Sequence, residues 1–226
     1  MSEALIDARD LHRRYASGAE PVVVLQGLSL KLARGQSLAL VGRSGSGKST
    51  LLHLLCGLEK PDAGSLTVAG ETFDAAEQGT ADNERRWASL RRQALGVVFQ
   101  DTNLMPTLSL LDNVRLRARL AGLHIEQCQD WLARLGIGEL AGRYPDQVSG
   151  GQRQRAALAM TFAMSPALIL ADEPTGSLDR TTADQVADQL FQWQDRTGCG
   201  LVLATHDPEL AARCDQVLDL GHGAQG

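Results

Sequence analysis

The chain has 226 residues and is 43% hydrophobic, enough for one large domain, or a domain with an inserted lobe, around a sizeable core. Its formal net charge of −5 argues against a nucleic-acid partner. No apolar run approaches the ~18 residues that a membrane-spanning helix needs, and the acidic opening Met1-Ser2-Glu3-Ala4-Leu5-Ile6-Asp7 lacks the basic and apolar regions of a signal peptide. Cys56, Cys128, Cys199 and Cys214 are scattered without the paired spacing of a zinc site or redox couple, and read as reduced thiols.

Short alternating apolar runs come first: Ala4–Leu11, Val22–Leu25, Leu28–Leu32 and Ser65–Val68. Turn formers at 33–35 and 61–64 separate them, so this region reads as antiparallel sheet. Ser37–Val41 reads as a buried strand, Ser49–Cys56 as a helix closed by Gly57, and Gly96–Gln100 as another short strand. The polar, charge-rich stretch Glu77–Arg92 reads as a solvated connection with helical character. From Leu110 to Ser165 the apolar spacing is helical, with a last helix from about Gln152 to Met164 ended by Pro166. The remainder alternates: strand Ala167–Ala171, helix from Thr181 to about Gln194, strand Leu201–Ala204, helix Glu209–Arg213, strand Val217–Leu220. Strands alternating with helices predict an α/β fold with a parallel sheet. The expected organisation is a core lobe of residues 1–100 and 166–226, opening with an antiparallel β subdomain and interrupted by a helical lobe at 101–165.

The residues carrying chemistry begin with Gly42-Arg43-Ser44-Gly45-Ser46-Gly47-Lys48-Ser49-Thr50, set between a strand and a helix. Glycines at 42, 45 and 47 let successive backbone N–H groups turn inward onto phosphate oxygens, and the following helix N-terminus favours the same anion. Lys48 supplies a cation for the β- and γ-phosphates of a nucleoside triphosphate, and Ser49 a hydroxyl for magnesium. The apolar run 168–171 places Asp172 at a strand's C-terminal edge to hold that magnesium through water, and Glu173 next to it to polarise an attacking water. Ser149-Gly150-Gly151-Gln152 opens its own helix, with Ser149 as N-cap and two glycines exposing backbone donors, so it reads as a second phosphate clamp. One site rarely needs two such clamps in series, and the economical arrangement is two chains that each close the other's site.

The order of these motifs resembles the ATP-binding cassette (ABC) ATPases, and the resemblance covers nearly the whole chain. It implies that Tyr15 stacks on adenine. It also implies that Gln100 contacts magnesium and the attacking water, that Asp179 in the loop Ser177-Leu178-Asp179 organises a subunit interface, and that His206 bonds the γ-phosphate. Val148 departs from the family's usual leucine, and Arg43 occupies a variable position. The implied protein is an ATPase that uses ATP and Mg2+, pairs with a second copy of itself and drives a separate membrane permease from the cytoplasmic face, as a peripheral subunit. Ala171–Asp179, Val97–Gln100 and Asn103–Val114 resemble the lipoprotein-release, macrolide-export and cell-division group. Leu104, Met105, Pro106 and Leu108 are candidates for a permease-facing groove. The alternative, a soluble cassette acting on nucleic acid or ribosomes, is disfavoured by the unsplit single cassette and the absence of a basic patch.

Overall fold

The computed structural model describes residues 4–17, 20–77, 79–176 and 178–221. Ser177 of the expected interface loop, and Met1–Glu3 of the opening segment, lie outside them. The first layer is an antiparallel sheet of β1 (Ala4–Ser17), β2 (Glu20–Ala33), β4 (Ala63–Val68) and β5 (Glu71–Asp74), in the order β2-β1-β4-β5. The two apolar runs expected as separate strands at 22–25 and 28–32 are one strand. The gap between them is a register irregularity, where the pairing passes from Leu11–Leu28 to Arg13–Leu25 and Gly27 takes a left-handed φ of 68°.

The second layer is a parallel sheet of β3 (Ser37–Val41), β6 (Leu95–Val98), β7 (Leu168–Asp172), β8 (Gly200–Ala204) and β9 (Gln216–Asp219), ordered β6-β7-β8-β3-β9. Its central strands are apolar on both faces, as a sheet covered on both sides requires. Leu168, Leu170 and Val202 join one core with the antiparallel sheet and α1 (Lys48–Leu55). Ile169, Ala171, Leu201 and Leu203 join a second core with helices on the other side. Those helices are α3 (Leu110–Leu120), α4 (Cys128–Arg134), α5 (Gly150–Ala163) and α6 (Arg180–Thr197), and α7 (Pro208–Ala212) follows β8. Aromatic rings knit this side together: Phe162 of α5 stacks on Trp193 of α6 at 4.5 Å, and Trp131 of α4 meets Trp193 edge-on at 5.0 Å. Among the described residues no helix is long and apolar enough to cross a membrane. The four cysteines are free, and burial pushes the Cys56 and Cys214 thiols up to about 11, so they stay protonated and unreactive at neutral pH.

One expectation needs correction. The charge-rich stretch at 77–92 is not a solvated connection: it contains α2 (Ala81–Gln93), capped by Thr80 and packed into the first core. Asn83, Trp87 and Leu90 recur at four- and three-residue intervals, so a polar sequence still presents one buried face. Trp87 stacks on Phe73 at 3.9 Å, and Arg86 lies over the other partner of the pair, 4.7 Å from the Phe73 ring. Trp87 also fills the space over Gly57, where a Cβ would come within 2.1 Å of its ring. Trp87→Ala should therefore destabilise the fold by about 3–5 kcal/mol, measured by urea unfolding followed by circular dichroism. A loss below about 1 kcal/mol would return α2 to the role of a solvated connector.

Candidate active site

The C-terminal ends of β3, β6, β7 and β8 open on one cavity of about 610 Å3. This is where parallel α/β sheets bind ligands, because the loops leaving those strand ends splay apart. Gly42–Gly45 and Gly47–Thr50 line it, together with Gln100, Asp172, Glu173 and His206. Residues far apart in sequence thus meet in one chain. Val24 and Gly176 also line the cavity and were not anticipated. Val24 looks like any apolar strand residue, and only the folding of β2 over the phosphate loop reveals its position.

Two glycines of the phosphate loop sit where contacts leave no room for a side chain. Gly42 has φ 142°, and a Cβ there would lie 2.6 Å from Ser46 Oγ. Gly47, the residue before α1, has φ 100°, and a Cβ there would lie 2.9 Å from Val24 Cγ1. No side chain caps α1, so its first backbone donors remain available to an anion. The Lys48 ammonium, largely buried, donates to the carbonyls of Gly42 at 2.8 Å and Arg43 at 3.2 Å and so spans the loop. The hydroxyl of Ser46, the one loop residue that does not line the cavity, is buried without a hydrogen-bond partner.

On the facing side, Asp172 ends β7 and Glu173 follows with φ 46°, a left-handed conformation unusual for a long side chain. The Glu173 amide donates to Ala204 O at 2.9 Å, and His206 Nδ1 lies 2.8 Å from Glu173 Oε2. The left-handed turn and this hydrogen bond fix the carboxylate in the cavity that the phosphate loop also lines.

The remaining candidates sit elsewhere. Ser149 caps α5, accepting from Gln152 N at 3.3 Å while Gln152 Oε1 accepts from Ser149 N at 2.8 Å. Gly150 and Gly151 follow without Cβ atoms, and a Cβ on Gly151 would lie 2.9 Å from Thr182 Cγ2 of α6. Asp179 caps α6 through the amide and hydroxyl of Thr182, and these bonds hold its carboxyl below the usual range. The signature and the Asp179 loop therefore share a surface, and neither lines the cavity of its own chain. Tyr15 stands beside the cavity, its hydroxyl 3.2 Å from Thr50 Oγ1 and its ring 4.6 Å from the Arg13 guanidinium.

A parallel sheet with a phosphate loop after one strand, and an Asp-Glu pair after another, defines a nucleoside triphosphatase. The chain belongs to the ABC transporter family, whose pattern it matches over residues 25–176. It is 41% identical over 226 residues to the "Uncharacterized ABC transporter ATP-binding protein YbbA" of Escherichia coli (strain K12), covering 98% of this chain and 96% of that protein. It is 41% identical over 225 residues to the "Lipoprotein-releasing system ATP-binding protein LolD" of Bordetella avium (strain 197N), covering 98% and 95%. Among solved structures, the ATP-binding cassette MJ0796 in a dimeric post-hydrolysis state bound to ADP and Pi aligns with TM-score 0.84 at 30% identity, covering 96% of this chain and 95% of that one. The chain is an ATP-binding, ATP-hydrolysing cassette.

Gly47→Ala should weaken ATP binding at least about tenfold, the equivalent of one lost hydrogen bond to a charged group. Gly70→Ala is the matched control: φ there is 87°, with nothing within 4 Å of the added Cβ. Calorimetric titration of both variants with ATP separates backbone strain alone, which both carry, from intrusion at the phosphate loop. Equal affinities would place the phosphates away from this turn.

Proposed function

We propose that two copies of this chain close head to tail around two ATP molecules and thereby drive a separate membrane permease, in the manner of a lipoprotein-release or macrolide-export ATPase. The observation that carries this reading is the separation of the two clamps. The stretch Ser149–Gln152 offers the amides of Gly150 and Gly151, those of Ser149 and Gln152 being taken up in the capping box, yet lies outside the cavity that holds Lys48. A second copy turned about a twofold axis brings its signature to that cavity, and the γ-phosphate becomes the charge that both clamps share. The dimeric MJ0796 cassette supports the same arrangement. The whole chain then acts as one cassette, with residues 1–100 and 166–226 as the nucleotide-binding lobe and 101–165 as the lobe presenting the signature.

In this reading Lys48 and the loop amides hold the β- and γ-phosphates. Glu173 orients and deprotonates the attacking water, and His206 holds Glu173 in line and reaches the γ-phosphate. The donor set suits Mg2+: the Ser49 hydroxyl, the Gln100 amide oxygen and one carboxylate, Asp172, line the same cavity, and this small cation is bound by few carboxylates together with substrate phosphates and water. Bound there, magnesium neutralises phosphate charge. Tyr15 receives the adenine and Asp179 lies at the dimer interface.

Glu173→Gln should retain ATP binding, lower turnover by at least ~100-fold, and accumulate an ATP-dependent dimer visible by analytical ultracentrifugation. Near wild-type hydrolysis would remove Glu173 from the reaction. A monomer that stays monomeric with saturating ATP would remove the composite site.

The permease-facing surface follows Gln100. Met105 is 48% exposed and Pro106 beside it is exposed too, whereas Leu104 packs against the second core and Leu108 is half-buried, so Met105 and Pro106 are the apolar contacts the loop offers outward. Their position is held by Asn113, only 1% exposed, which accepts from Met105 N at 2.7 Å and donates to the carbonyls of Met105, Leu108 and Ser109. A buried asparagine with every bond satisfied makes the loop a fixed ledge. Met105→Glu should leave basal ATPase activity intact and abolish co-purification with its membrane permease. Undiminished co-purification of the folded variant would exclude this ledge as the docking point.

A further inference from the structure

A network of charged and polar side chains lies at the base end of the nucleotide cavity, and no step of the reaction described so far uses its centre. Glu59, in the turn after α1, accepts from the hydroxyl of Tyr15. It also accepts from Arg13 Nε at 3.1 Å and is hydrogen-bonded to His53 Nδ1 at 3.2 Å. Arg13 and Tyr15 belong to β1 of the antiparallel sheet, and His53 to the helix that carries the phosphate loop. Glu59 thus joins the two layers at the point where they flank the cavity. Burial alone would push its carboxyl up, but the bonds from Tyr15 and His53 and the charge of Arg13 outweigh this and hold it low.

The same contacts bear on the Tyr15 ring. Its hydroxyl is held between Glu59 and Thr50 Oγ1, and Thr50 lines the cavity one residue beyond Ser49. The Arg13 guanidinium covers one face of the ring at 4.6 Å, so a planar ligand stacks only on the other. Arg13 is itself fixed by Asp62, whose Oδ1 accepts from Arg13 Nη1 at 3.2 Å and whose Oδ2 accepts from the Arg14 amide at 2.6 Å. A half-exposed tyrosine on a β-strand would otherwise sample several rotamers, and each would have to be given up on binding.

We propose that Glu59 is the positioning residue for the base of the bound nucleotide: it fixes the Tyr15 ring in register with α1 and turns Arg13 onto its back face. This rests on the reading of Tyr15 as the base-stacking ring. Glu59 does not line the cavity and acts through the Tyr15 ring, so its effect should appear in binding of the nucleoside part and not of the phosphate part.

The test is calorimetric titration of ATP and of inorganic tripolyphosphate, each with magnesium, into the full chain and its Tyr15→Ala, Tyr15→Phe and Glu59→Ala variants. Tyr15→Ala should weaken ATP about tenfold, in the range of base stacking on an aromatic ring, and leave tripolyphosphate unchanged. Glu59→Ala should show the same selective loss. Tyr15→Phe keeps the ring but removes the hydroxyl's bonds to Glu59 and Thr50, so it should weaken ATP selectively and, combined with Glu59→Ala, lose less than the sum of the two, since they share the Tyr15–Glu59 link. If Tyr15→Ala weakens ATP and Glu59→Ala does not, the positioning role is wrong and the stacking role stands. If Tyr15→Ala binds ATP normally, stacking fails and the positioning role falls with it. A loss in Glu59→Ala shared equally by tripolyphosphate makes Glu59 a prop of the phosphate loop and overturns the proposal. Should Glu59→Ala not fold, Tyr15→Phe decides alone: a selective loss supports the proposal and wild-type affinity for ATP overturns it.

Discussion

The structure depends on the N-terminus of α1 being left open. Thr80, Ser109, Ser149, Asp179 and Asp207 each accept a backbone donor at the start of their helices, the ordinary solution to unpaired amides. α1 begins instead after Gly47, which has no side chain to offer. An oxygen at that place would occupy the donors that ATP's phosphates need. The buried strand β3 fixes where α1 begins, and Val24 presses on Gly47 from the neighbouring layer. Lys48 ties the loop to its own carbonyls, so the cost of bringing these groups together is met in folding and not at each binding event.

Much of this was legible in the residues. Regular elements betray themselves by periodicity, and the phosphate loop by glycines placed where only glycine fits. Glu173 and Lys48 were identified as partners across 125 positions because each motif implies the same ligand, and the cavity they share follows from the parallel order of β3, β7 and β8. What escaped were contacts made by unremarkable residues. Trp87 hides in a run of charges, since a helix of negative mean hydropathy still buries one face. Asn113 and Glu59 act through bonds to distant backbone or side chains, and nothing in their neighbours announces this. Val24 lines the cavity only because β2 crosses over it.

The helices presenting the signature are also less separate than their sequence suggests. Phe162 and Ala159 of α5 share a core with Ile169 and Leu203 of the parallel sheet and with Trp193 of α6. Arg117 of α3, largely buried, reaches the carbonyls of Arg91 and Leu95 at the junction of α2 and β6. Movement of this region relative to the nucleotide must therefore slide packed surfaces over short distances, which is the shear type of change, and not swing on a free tether.

The two-sided apolar character of β7 has a further consequence. Leu168 and Leu170 face one core, Ile169 and Ala171 the other, and Asp172 pairs with Ala204 at the strand's end. Hydrophobicity alone would accept β7 moved along by one residue, because both faces would remain apolar. Such a slip would move the Asp-Glu pair by about 3.3 Å along the sheet, enough to misplace a carboxylate by a full hydrogen-bond length. Alignment of the strand is set at its end, where Asp172 is the first polar side chain after the apolar run and Glu173 leaves the ladder with φ 46°. The placement of the two proposed catalytic carboxylates is thus a property of the strand's last rung, where Asp172 pairs with the fully buried Ala204, and not of the apolar run before it.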